Sequence, residues 1–64
     1  MFTATYKKHN YTVTVPSIQE VGRFISDIYD IDWETPIEVT NLSTGKSATV
    51  TTYLYNSILK EVAV

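Results

Sequence analysis

The sequence predicts a small α+β domain in the order ββαββα, with two hairpins in one antiparallel sheet, a main helix packed on one face and a short C-terminal helix at its side or end. Three observations predict it. Two pairs of short runs rich in threonine and β-branched or aromatic residues are each separated by a polar break of hairpin length. Between the pairs lies one stretch whose apolar residues recur at steps of three and four. The chain has 64 residues, so 1–64 forms a single domain near the lower size limit for a core without staples.

The runs "FTATY" and "YTVTV" predict strands at about 2–6 and 11–15, joined through "KKHN". Pro16 ends the second strand. Ser17 stands three residues ahead of Glu20, the spacing of a capping box, so a helix starts at 17 or 18. Ile18, Val21, Ile25 and Ile28 form its apolar stripe and Phe24 and Tyr29 widen it, while Gln19, Glu20, Arg23, Ser26 and Asp27 take the other side. The pattern runs for about twelve residues. Gly22 in its middle costs roughly 1 kcal/mol against alanine, which points to close packing on the sheet or, failing that, to approach by a partner.

In "PIEVTNLSTGKSATVTT", Ile37 and Val39 alternate with Glu38 and Thr40, and Ala48 and Val50 lie on the return. The turn around "LSTG" supplies a glycine for positive φ. The tail "TTYLYNSILKEVAV" has strand propensity in its first half and places Leu54, Ile58 and Val62 at helical spacing in its second. With Lys60 near the C-terminal end, where the dipole favours it, the reading is a short helix from near 53. There is no internal repeat, low-complexity segment or linker.

Composition narrows the functional classes. The apolar fraction of 44% is too high for a disordered chain. No cysteine is present, so disulfides and thiolate zinc sites are excluded and a reducing cytoplasm is the expected compartment. No signal-peptide pattern or membrane-spanning window is visible. A net charge of −2 disfavours nucleic acid and anionic membranes as partners.

Motifs for chemistry fail on inspection. "TGKS" resembles the end of a phosphate loop, but Thr40 stands where its first glycine belongs and the segment lies between strands. "DIDWE" puts Asp30, Asp32 and Glu34 at the first, third and fifth positions of a calcium loop, yet Thr35 replaces the glycine and Asn41 the bidentate glutamate. His9, the only histidine, lies in a lysine-flanked turn with no cysteine nucleophile to activate. No catalytic residue, metal ligand or cofactor is assigned, and the expectation is that the protein is not an enzyme.

What remains is the stretch "SDIYDIDWETP". Asp27 and Asp30 fall near the end of the predicted helix, where the negative end of the macrodipole makes each carboxylate unfavourable, and only Arg23 is placed to compensate. Asp32 and Glu34 continue the charge around Trp33, the only tryptophan. Asp27, Tyr29, Asp30, Asp32, Trp33 and Glu34 are therefore the candidate partner-binding set. The aromatics would anchor a larger protein with a basic surface, and the carboxylates would steer it. The bland reading makes Trp33 a core residue and the carboxylates a solvated loop. An inhibitor from a phage or mobile element that occludes a host protein fits the size and the lack of catalytic parts. Two other readings stand beside it: a nucleic-acid binder using Lys7, Lys8, His9 and Arg23 with flanking tyrosines, and a homodimer in which an open strand edge or the "VAV" terminus completes an undersized core.

Overall fold

The computed structural model describes residues 1–32, 35–51 and 55–64. Strand propensity and alternation produce β1 (Phe2–Tyr6), β2 (Tyr11–Val15), β3 (Ile37–Asn41) and β4 (Ser47–Val50), and the periodic stretches produce α1 (Ile18–Tyr29) and α2 (Asn56–Ala63). Among the described residues these four strands form one antiparallel sheet in the order β2-β1-β3-β4, with β2 and β4 at its edges. The predicted fold class, the first two strands and the main helix are those observed.

Between β1 and β2, Lys7–His9 form a 3₁₀ turn closed by Asn10 at φ 52°, whose N–H donates to the Lys7 carbonyl. Asparagine is among the few residues that take this left-handed conformation readily. The predicted glycine of the second turn is Gly45, at φ 78°.

A strand period of two sorts the sheet's faces. Ala4, Tyr6, Ile37, Val39 and Val50 are buried on one, with Val13, Val15 and Ala48 packed around them. The other carries Thr3, Thr5, Thr12, Thr14, Thr40, Thr49, Ser47 and Glu38 in cross-strand rows, all exposed or half-exposed. Onto the apolar face α1 lowers Val21, Ile25 and Tyr29, and α2 adds Leu59 and Val62. Ser17 caps α1 as its spacing predicts, its Oγ accepting the Glu20 N–H at 3.4 Å.

Three details differ from expectation. Helix α2 begins at Asn56 instead of near 53, and Leu54, with Thr52 and Tyr53, lies outside the described residues. The residues α2 buries are Leu59 and Val62, with Ile58 half-buried, because the helix meets both the sheet and α1 and needs a wider stripe than one seam. Gly22 faces α2, not the sheet: a Cβ built on it would stand 3.7 Å from Leu59 Cδ1, an ordinary contact, so no close approach demands glycine there.

Asn41, 4% exposed, ends β3 and joins two elements. Its Nδ2 donates to the Val62 carbonyl at 2.8 Å, and its Oδ1 accepts the Ser43 N–H at 2.9 Å. The second bond is an Asx turn, which opens the β3–β4 connection.

Backbone pairing also fixes what the sheet's edges offer. Leu42 N–H donates to the Met1 carbonyl across β1 and β3, and bonded and non-bonded pairs alternate along antiparallel strands. Thr3 and Thr5 therefore turn their backbone groups to β3, while Phe2, Ala4 and Tyr6 turn theirs to β2. On β2 that leaves Tyr11, Val13 and Val15 bonded inward and directs the N–H and C=O of Thr12 and Thr14 to the open edge. By the same alternation, starting from Asn41 N–H to the Lys46 carbonyl, Ser47 and Thr49 face outward from β4.

Candidate functional site

The candidate acidic residues divide three ways. Asp27 lies in the last turn of α1 and Asp30 at its C-cap, both exposed and neither with an ion-pair or side-chain hydrogen-bond partner among the described residues. Arg23, one turn before Asp27, is exposed and forms no ion pair with it. Trp33 and Glu34 lie outside the described residues.

Tyr29 is corrected from an exposed anchor to a core residue. Its position four residues after Ile25 puts the ring in line with Val21 and Ile25, and it is 2% exposed. The hydroxyl donates to the Val50 carbonyl at 3.2 Å, and the ring meets Tyr55 edge-on at 6.2 Å between centroids. Burial raises its pKa above the ordinary tyrosine value, with the nearby Tyr55 adding to the effect.

Asp32 turns inward to the first hairpin. Its Oδ2 accepts from Lys8 Nζ at 2.9 Å and from Tyr6 Oη at 3.1 Å. The Lys8 hydrogen bond holds the Asp32 carboxyl below the ordinary aspartate range, against desolvation and with help from Tyr6. Reciprocally, Lys8 is raised by its bond to Asp32, and Tyr6 is raised by burial first and by Asp32 second. The backbone places the carboxylate: Ile31 and Asp32 N–H both donate to the Ile28 carbonyl, winding the chain off the helix end towards β1.

The acidic stretch and the basic turn, distinct in sequence, are thus joined in space. Lys7 pairs with Glu38 at 3.3 Å as Lys8 pairs with Asp32. His9 packs edge-on against Tyr6 at 5.0 Å, and Arg23 stands apart on α1. With both hairpin lysines paired to carboxylates, the four basic candidates do not assemble into one cationic surface. Among the described residues no three His, Cys, Asp or Glu side chains gather to hold a metal ion. No helix among them is long and apolar enough to cross a membrane.

Sequence reasoning missed the apolar partners of the unpaired carboxylates. Ile31, next to Asp30, is 82% exposed, and Tyr11 on β2 is 55% exposed with its ring 6.1 Å from that of the half-buried Phe24. Phe24 and Ile28, four residues apart, mark one flank of α1, and Ile31 follows three residues later just past the helix end, a spacing that was available in the sequence.

Comparison with protein-family models, with curated proteins and with solved structures finds no match to this chain in any of the three.

Proposed function

We propose that the protein is a small protein-binding module, acting by occlusion and without a catalytic step, whose contact surface is the C-terminal end of α1. The observation that carries this reading is the pairing of Asp27 and Asp30, uncompensated at the negative end of a helix dipole, with the exposed side chain of Ile31. Folding alone favours a cation at that position and a polar residue in place of Ile31, and departures of this kind from local stability mark functional surfaces. An aliphatic anchor within a carboxylate rim suits a partner with a basic surface. Asp32 contributes to shape more than to charge there, because Lys8 already neutralises it.

The test is capture of a partner by wild type and by Asp27→Asn/Asp30→Asn, with circular dichroism establishing that both are folded. A partner held by wild type and lost by the variant is the expected result; a partner held equally by both overturns the reading. The nucleic-acid alternative is weakened by the pairing of Lys7 and Lys8. It predicts binding to DNA or RNA that falls steeply with salt.

A further inference from the structure

Beside the open edge of β2 lies a groove with Val13, Val15 and Phe24 on its floor and Glu20, Arg23 and Asp27 on its rim. The edge offers the N–H and C=O of Thr12 and Thr14. Among the usual protections of an edge strand, β2 has no lysine, no inward-pointing charge and no proline before Pro16.

We infer that β2 accepts an extended basic segment of a partner protein as a fifth strand, with lysine or arginine side chains entering the groove between β2 and α1. This rests on the reading of the protein as a binding module and names a second part of its contact surface. A strand added to the edge bonds to Thr12 and Thr14, and its residue opposite Val13 projects to the helix side of the sheet. There a lysine stem covers Val13 and Phe24 while its ammonium enters the rim that carries the Glu20 and Asp27 carboxylates, neither of which has a side-chain partner among the described residues. Arg23 offsets one of these charges and leaves the rim net negative. A glutamate in the same place meets two like charges.

Charge also argues against a second copy as the occupant. Pairing of β2 with its own copy is isologous and sets this rim, with its surplus of carboxylates, against itself. The other edge is a poorer receptor: beside β4 the concavity mixes Lys46 with Glu61, and Lys46 Nζ is engaged by the Val64 carbonyl at 3.2 Å.

The experiment titrates the isotopically labelled chain with two synthetic peptides, one alternating threonine with lysine and one alternating threonine with glutamate, read by amide shifts and hydrogen exchange. The lysine peptide is expected to shift and protect the Thr12 and Thr14 amides with an affinity that falls with salt, and the glutamate peptide is expected to do neither. The chain is short enough for chemical synthesis, so the outward N–H can be removed by N-methylation of the Thr14 amide without touching the bonds to β1. That chain, folded by circular dichroism, should bind the lysine peptide about tenfold more weakly, the equivalent of one lost hydrogen bond. N-methylation of the Thr49 amide on the opposite edge should change nothing. No protection at Thr12 and Thr14, equal binding of the two peptides, or full affinity after Thr14 methylation overturns the inference. Asp30→Asn/Ile31→Ala lies outside the groove and separates the two ideas. A captured partner lost by that variant but kept by the Thr14-methylated chain sinks the edge inference alone, and one indifferent to both changes sinks both.

Discussion

The two ends of the central strands are closed by polar side chains of opposite character. At one end Asn41, buried and neutral, ties the β3–β4 turn and the end of α2 together through Ser43 N–H and the Val62 carbonyl. At the other, Asp32 ties the chain after α1 to the first hairpin through Lys8 and Tyr6, with Lys8 largely in solvent. A buried bond contributes chiefly through what its loss leaves unsatisfied, whereas an exposed ion pair gains little because water solvates the separated charges almost as well. The Asn41 end should therefore govern stability and the Asp32 end its pH dependence.

The largest expected effect lies at Asn41. Asn41→Ala leaves the Val62 carbonyl and the Ser43 N–H without their partner and should cost about 1–3 kcal/mol in urea unfolding. A loss within about 0.5 kcal/mol of zero, the range of ordinary surface substitutions, refutes the contrast. Tyr29→Phe asks whether burial or position matters, since Tyr29 donates to Val50 at the same end of the sheet as Asp32. The expected cost is about 1 kcal/mol, independent of pH across the neutral range. Gly22→Ala tests the contact between α1 and α2. The new methyl meets Leu59 at contact distance and gains helix propensity, so the variant should be more stable by about 0.5–1 kcal/mol. Destabilisation instead would mean that α1 and α2 sit closer than the 3.7 Å spacing implies.

The legible parts of the fold are those set by local chemistry. β1, β2 and the start and length of α1 were readable to within about a residue because Pro16, Ser17 and the three-and-four spacing act within a few positions of one another. The glycine of the β3–β4 turn, Gly45, was readable for the same reason, but the bonds of Asn41 to Ser43 and Val62 were not, since Asn41 and Val62 stand 21 positions apart and no local pattern announces the pair. Tyr29 shows the limit most clearly: one residue belonged to both the apolar stripe and the acidic stretch, and only its burial in the folded chain, with the hydroxyl on the Val50 carbonyl, decides between them. The neutralisation of Asp32 by Lys8 was equally hidden, because sequence shows two charged blocks and not that the chain folds one onto the other.

Asp32→Asn is the smallest effect and the one with the most informative shape. The wild-type carboxyl titrates lower in the folded chain than in the unfolded one, so its contribution is present above the ordinary aspartate range near pH 4 and is lost as pH falls through the folded value. Lys8 and Tyr6 are both raised in the folded chain, so the same cluster contributes below their ordinary values of about 10 and weakens as pH rises through the folded ones. The difference in Tm between wild type and Asp32→Asn should therefore be a plateau from about pH 5 to 9 that closes on both sides. Asparagine can still accept one of the two hydrogen bonds, so the plateau measures the charge and not the whole contact. A difference that persists unchanged below about pH 3 would assign Asp32 a packing role and remove the pH asymmetry between the two ends. High salt supplies the independent check: it should lower the plateau while leaving the Asn41→Ala deficit where it was, because only the exposed pair is screened.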